Sequence, residues 1–269
     1  MKASTRTADA VSAIAGIAPV APDGHHPGSN GAGSVQQAER NLLLRSLSPD
    51  DYAWIAPHLR RVTLKVPDVL AEADEPFRHV YFVESAVVSI VNRVSTGMVE
   101  VGTVGNEGMA GLSAWLDGGI AGSKTFVQVP GDAQRVSAEM FVAGAAERPA
   151  LRRLLNRYTQ AFIAQVSQTA ACNRAHKLEE RCARWLLMTH DRINGENTFP
   201  LTHQFLAFML GVRRSGVTIA AGTLQQAGLI KYTRGNITVT DRKGLKSASC
   251  ECYRIVQAHF VRLLVVGVT

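Results

Sequence analysis

Two arginines, a serine and a threonine stand close together at Arg213, Arg214, Ser215 and Thr218. They lie inside the stretch LTHQFLAFMLGVRRSGVTIAAGTLQQAGLIKY, Leu201–Tyr232. At helical spacing Val217, Ala220, Ala221 and Leu224 turn inward, which leaves Arg214, Ser215, Thr218 and Gln225 for solvent or DNA. A glycine-rich run, GTVGNEGMAG, carries glycines at 102, 105, 108 and 111. Such a bend can bring backbone N–H groups close to a phosphate, although tight turns explain it equally well. Its spacing is not that of a dinucleotide-binding fingerprint. Cys250 and Cys252 form a third group. On one helix, residues two apart point to different faces, and no two further ligands stand at an obvious spacing, so no metal site is expected.

The elements needed to position the first group are legible around it. Thr202 can cap a short helix whose Phe205, Leu206, Met209 and Leu210 share a face. Gly211 permits a sharp turn, and a second helix is expected over roughly Arg213 to Ala227. Gly228 stops it, and Arg234-Gly235-Asn236 turns between the β-prone runs Ile230–Thr233 and Ile237–Thr240. The pattern is a helix-turn-helix followed by a wing. Charge agrees. The chain has 29 Lys+Arg and 22 Asp+Glu, a formal net charge of +7. From His176 to Thr269 there are 13 basic and six acidic residues, against 16 of each before. A basic segment appended to a neutral one suits phosphate binding.

With 269 residues and 46% apolar content, one large or two smaller domains are expected. No apolar run is long enough to span a membrane, and no secretory leader is evident, so no membrane partner is expected. The four late, irregularly spaced cysteines suit a reducing cytoplasm. Residues 1–38, rich in Ala, Gly, Ser and Pro, read as a disordered tail in which His25 and His26 are a solvated pair. Short helices are expected over Asn41–Leu47 and from Ser48-Pro49-Asp50-Asp51. Strands follow at Val62–Val66, Val80–Val83, Val87–Val94, Val99–Val104, Phe126–Val129 and Gln134–Val136, as in a barrel or sandwich. From Pro149 the period becomes helical. Leu151, Leu155, Tyr158, Phe162, Gln165, Thr169 and Cys172 recur every four or three residues, widened by Leu154, Ile163 and Val166, a stripe for the chain's own β domain and for a dimer partner. Another helix is expected over Leu178–His190, with Cys182, Trp185, Leu186 and Thr189 on one face. Asp191–Phe199 reads as a turn-rich connector, and Asp241 caps a last helix over Leu245 to about Val266.

Together these features resemble the cyclic-AMP-receptor/Fnr (Crp/Fnr) superfamily of bacterial transcription regulators. The resemblance covers about Glu39 to Leu264. It is strongest at RCARWLLMTHDRI (Arg181–Ile193) and FPLTHQFLAFMLGVRRSGVT (Phe199–Thr218), with GNEGMAGLSAWL (Gly105–Leu116) similar to the family's ligand-pocket loop. It implies an α+β chain. A cyclic-nucleotide-binding-like β-roll spans 39–147, a dimerisation helix 148–175, a winged helix-turn-helix 176–250 and a C-terminal helix 251–269. The seam residues implied are Leu151, Leu155, Tyr158, Phe162, Gln165 and Thr169. Base contacts fall on Arg214, Ser215 and Thr218, and Arg214 can donate two bonds to guanine O6 and N7. The family's nucleotide-dependent activators carry Glu where Ser215 stands, so a different operator is expected. Thr202, His203, Arg213, Lys231 and Arg234 are the implied phosphate contacts.

The implied effector pocket comprises Gly108, Gly111, Leu112, Ser113, Ser123 and Lys124. Cyclic-nucleotide binders carry Gly-Glu-Leu and Arg-Ser/Ala; here Gly111 precedes Leu112-Ser113, and the later stretch is Gly122-Ser123-Lys124. Both ligand-determining side chains are missing, with Lys124 left as a weak substitute for the phosphate partner, so no cyclic nucleotide is expected and the effector is open. The family's iron–sulfur branch needs N-terminal cysteines, and this chain has none before Cys172. The partners implied are double-stranded DNA, a second copy of the chain and RNA polymerase. The rival reading is a small-molecule or nucleotide sensor whose helical end contacts a protein. No G-x-S-x-G, Walker loop or H-E-x-x-H is present, and no enzyme is expected.

Overall fold

The computed structural model describes residues 36–265 except Thr96, Asp117, Gly118 and Asn194. Most of the expected tail, His25 and His26 included, lies outside them. Its last three residues, 36–38, are helical, and buried Gln36 donates to the Leu47 carbonyl at 2.8 Å. Asn41 caps α1 (Leu42–Arg45), and Ser48 caps α2 (Pro49–Ile55), accepting from Asp51 N–H.

Two four-stranded antiparallel sheets then form the β-roll. One runs β1 (Arg60–Leu64), β8 (Gly131–Ser137), β3 (His79–Val83), β6 (Met109–Ala110). The other runs β2 (Val69–Ala71), β7 (Lys124–Val129), β4 (Val87–Val94), β5 (Gly97–Val104). The short strands β2 and β6 were not anticipated, because two or three residues show no alternation. α3 (Leu112–Trp115) lies between β6 and β7, and α4 (Ala138–Ala146), also unanticipated, follows β8.

The long helix α5 (Pro149–Ala175) has 27 residues and Pro149 in its first turn. α6 (Leu178–His190) matches its expected bounds, with Cys182, Trp185, Leu186 and Thr189 all buried. The wing sheet has the order β10 (Ile230–Thr233), β11 (Asn236–Val239), β9 (Thr198–Pro200). The connector before it is therefore part strand. Asp191 there is tied to the C-terminus, accepting from Tyr253 Oη at 2.6 Å and Gln257 Nε2 at 3.1 Å.

Two expectations are corrected by packing. Leu151, Leu155, Tyr158 and Gln165 are at most 2% exposed inside the single chain. These four therefore pack inside the chain, against the β-roll as the stripe also predicts and against the C-terminal helix, and not at a dimer seam. The face left outward carries Thr159, Ile163, Val166 and Ala170, with Ile163 57% exposed. The expected last helix is two helices. Asp241 caps α9 (Arg242–Ala248), accepting from Gly244 N–H, and the chain breaks before α10 (Cys252–Phe260) and a π-helical turn, Val261–Val265. At the break, Ser249 is extended and its hydroxyl donates to the Lys246 carbonyl, a local bond that competes with helix continuation.

The apolar core does not respect the domain boundaries. Val87, Val91, Phe126 and Val129 of the β-roll share one cluster with the interior of the winged helix. Val256, Phe260 and Leu264 from the C-terminus pack with Leu151, Leu154, Leu155 and Tyr158 of α5.

Candidate DNA interface and effector pocket

α7 (His203–Leu210) begins at Thr202, whose Oγ1 accepts from Phe205 N–H at 3.1 Å. It ends at Gly211, which takes φ 63°, a left-handed conformation cheap only for glycine. The chain then turns through 107° into α8 (Arg214–Gln226). That angle lies in the range of a helix-turn-helix pair. Val217, Ala220, Ala221 and Leu224 are buried, as the spacing predicted. Arg213, Arg214, Ser215 and Thr218 are exposed on the opposite face. Arg213 makes no side-chain cap, so the first amides of α8 stay open to an anion. Beside Thr218 stands Ile219, 67% exposed, which the sequence reading passed over. Its signal was available: a β-branched apolar residue on the outer face of an otherwise regular amphipathic helix.

Lys231 and Arg234 are exposed on the wing. Arg234 and Gly235, the two turn residues between β10 and β11, take φ 48° and 85°. Positive φ at both central positions makes a primed hairpin turn, which lifts the Arg234 side chain to the wing tip. His203 departs from its expected role. Its ring stacks on Tyr232 at 4.3 Å, its Nδ1 lies 3.1 Å from Thr218 Oγ1, and its Nε2 is buried without a partner among the described residues. Burial and the Arg214 charge hold its pKa below the usual value. His203 is thus a neutral wedge joining both helices to the wing, not a cation facing phosphate.

A second site lies between the β-roll and α5, a pocket of about 310 Å³. That volume is near the lower end for small-molecule sites. Gly111, Leu112, Ser113 and Ser123 line it, as the loop resemblance implied. The remaining wall is mainly apolar, including Phe77, Ile90, Met109, Phe162 and Val166. No charged side chain lines it among the described residues. Lys124 is turned away and pairs with Glu72 at 2.8 Å. Gly108 is not in the wall either. A Cβ there would collide with Tyr158 Oη, so this glycine admits the tyrosine ring. Tyr158 in turn donates to the Met109 carbonyl at 3.0 Å and accepts from Met109 N–H at 3.1 Å. Ser113 Oγ is buried and has no hydrogen-bond partner among the described residues.

The glycine-rich loop also receives Arg192, from the turn after α6. Buried Glu107 accepts from Arg192 Nη2 at 2.7 Å and from Nε at 3.0 Å. The loop is therefore a seat for Tyr158 and Arg192 rather than a phosphate cradle. A neighbouring network was equally invisible in the sequence. Glu100 on β5 is buried, accepts from Trp185 Nε1 at 2.8 Å, and lies 2.6 Å from Ser89 Oγ. Ser89 Oγ also contacts Gln128 Oε1, and Gln128 Nε2 donates to Thr189 Oγ1 at 3.2 Å. With the amide so oriented, one serine proton faces two acceptors. The chain of bonds closes when Glu100 is protonated and donates to Ser89.

Burial raises the Glu100 carboxyl above its usual 4.5, against hydrogen bonds that lower it. A carboxyl raised in the folded state stabilises the fold fully below the unfolded value, and that contribution is lost as pH rises through the folded value. Glu100→Gln should therefore match the parent at low pH and gain on it progressively above about pH 4.5. Thermal unfolding across a pH series checks this; a constant offset at every pH would show that folding does not shift the Glu100 carboxyl.

Residues 180–248 match the Crp-like helix-turn-helix domain. No curated protein sequence matches the chain. Among solved structures, FixK2 from Bradyrhizobium japonicum superposes with a TM-score of 0.61 at 17% identity, over 71% of this chain and 98% of that one. A CRP-family transcriptional regulator from Thermus thermophilus gives 0.58 at 19%, over 71% and 96%. A putative transcriptional regulator of the Crp/Fnr family from Eubacterium rectale gives 0.57 at 20%, over 77% and 96%.

Proposed function

We propose, for a chain that has the Crp/Fnr-type transcription-regulator fold and carries a Crp-like helix-turn-helix domain, that it binds an inverted DNA repeat as a homodimer. The observation that carries this is the outer face of α8. Arg214, Ser215, Thr218 and Ile219 stand exposed together, flanked by Arg213 and by Lys231 and Arg234 on the wing. Arg214 reads guanine, and Ile219 supplies apolar contact for a thymine methyl. Thr202, Arg213, Lys231 and Arg234 hold phosphates and fix register. Dimerisation uses the outward face of α5, where Thr159, Ile163, Val166 and Ala170 recur at spacings of four, three and four, a coiled-coil seam.

The pocket takes a small, largely apolar, uncharged effector. An anionic cyclic phosphate would enter a wall without a cation and bear an uncompensated desolvation cost. Ile163 and Val166 belong both to the pocket wall and to the seam, so an occupant touches the surface that sets dimer geometry. On this reading the protein acts in the cytoplasm, and contact with RNA polymerase turns operator binding into transcriptional output. Among the described residues no single helix is long and apolar enough to cross a membrane.

The test is selection of binding sites from random duplexes, followed by fluorescence anisotropy at fixed salt with and without cyclic AMP. The expected result is an inverted repeat with half-sites about one helical turn apart, two chains per duplex, and no response to the nucleotide. Arg214→Ala should cost about 1–3 kcal/mol and relax preference at one position per half-site. Recovery of no preferred sequence would sink the regulator reading. One chain per duplex would remove the seam, and a cyclic-AMP requirement would overturn the account of the pocket.

A further inference from the structure

The break before α10 assembles a cluster that no part of the DNA-binding reading uses. Cys172 lies in the last turn of α5, and His176 is the extended residue that follows the helix. Cys250 sits in the break and Cys252 opens α10. Because Cys250 is not helical, the rule that separates residues two apart on a helix does not apply to this pair. The three cysteines are at most 5% exposed, and the His176 side chain is 18% exposed. One ligand atom from each of the four residues lies within 4.8 Å of every other. We propose that Cys172, His176, Cys250 and Cys252 form a tetrahedral Cys₃His site for a zinc-class divalent cation, a staple between the dimer-seam helix and the C-terminal helix.

Distances decide between a metal and a disulfide. A tetrahedral ion with Zn–S of about 2.3 Å and Zn–N of about 2.0–2.1 Å sets ligand edges of about 3.8 Å for S–S and about 3.6 Å for S–N. Here Cys172 Sγ and Cys250 Sγ are 3.5 Å apart, and Cys252 Sγ and His176 Nδ1 are also 3.5 Å apart. Bonded sulfurs would stand at about 2.05 Å, and a Cys172–Cys250 bond would leave the approach of His176 and Cys252 without a purpose. The imidazole is already set as a ligand. Its Nδ1 faces the thiols while its Nε2 lies 3.1 Å from Glu251 Oε1. A carboxylate behind a ligating histidine fixes the tautomer and raises the basicity of the other nitrogen. Gln168 Nε2 donates to Cys252 Sγ at 3.0 Å.

The electrostatic surroundings agree. Three thiolates around a divalent ion leave one negative charge, and Arg181 and Arg184 lie close enough to Cys172 to interact with it. Four protein ligands with buried sulfurs leave no open position, so the site is structural rather than catalytic. The fourth cysteine, Cys182, is buried elsewhere in α6 and takes no part.

The experiment uses the full chain, purified under reducing conditions. Metal content is measured as isolated, and chelator-stripped protein is titrated with Co²⁺. One zinc per chain is expected, together with thiolate-to-cobalt charge-transfer bands and tetrahedral d–d bands. Cys182→Ala should keep the spectrum and Cys250→Ser should lose it. Glu251→Gln should keep the stoichiometry with affinity lowered roughly 10–100-fold, which also guards against a variant that merely fails to fold. Natively folded parent protein showing no cobalt bands would overturn the site. So would a Cys172–Cys250 disulfide that forms equally fast with and without zinc, which would make the cluster a thiol pair instead.

Discussion

Arg192→Ala is expected to remove about 3–5 kcal/mol of stability, because it leaves the Glu107 carboxylate buried without its partner. Both side chains are nearly inaccessible, at 6% and 5% exposure. The guanidinium also donates to the Met188 carbonyl at 2.5 Å and to Gln165 Oε1 at 3.3 Å, and Gln165 Nε2 donates to the Thr103 carbonyl at 2.9 Å. One arginine therefore ties α6 to α5 and, through Glu107, to the glycine-rich loop. Urea unfolding measures the loss. The double substitution Arg192→Met with Glu107→Leu removes both charges and should recover much of it, since a buried ion pair can be replaced by apolar side chains at little net cost. A loss below about 1 kcal/mol for Arg192→Ala would mean that water reaches Glu107 and the pair acts as a surface bridge.

The second large effect is expected for Phe126→Ala. Phe126 is 6% exposed on the β-roll, and its ring meets Phe205 of α7 edge-on at a centroid distance of 6.2 Å. Truncation at such a site costs about 3–5 kcal/mol through lost burial and a residual cavity. The shape of the transition is the sharper readout. The parent should melt in one step, because the cluster around Phe126 is common to the β-roll and the winged helix. The variant should melt in two, with the winged helix first. Calorimetry with tryptophan fluorescence separates the cases. A variant that loses stability but keeps a single coincident transition would show that Phe126 matters only within the β-roll.

The local chemistry of this fold was legible in the chain. Thr202, Gly211, Ser48 and Asp241 act as the caps and stop their types announce, because capping is settled within three or four residues. The inward set Val217, Ala220, Ala221 and Leu224 follows from helical period alone. What failed was long-range. The stripe through Leu151, Leu155 and Tyr158 reads as a face for the β domain and for a dimer partner at once, and the β-roll with the C-terminal helix takes it all. Lys124 reads as a possible anion partner until Glu72, 52 residues away, is seen to hold it. Glu107 and Arg192 are 85 residues apart, and neither has a local pattern to mark it. Cys172 and His176 carried no mark in the sequence, because the partners that give them meaning come from the other end of the chain. They meet only because α10 packs against α5.

The core that β4, β7, α6 and α7 hold in common has a consequence for how this protein can be cut and recombined. Helix-turn-helix domains are readily imagined as cassettes that exchange sensors by shuffling. Here the cut would uncover Phe126, Val87 and Val91 on one piece, and Leu206, Met209 and Leu210 on the other. A fragment beginning near residue 176 would carry an intact reading head on a sticky underside, prone to self-association. Grafting this head onto another β-roll requires transplanting the β-roll surface beneath it as well, so the two halves of this chain are separable only as a pair.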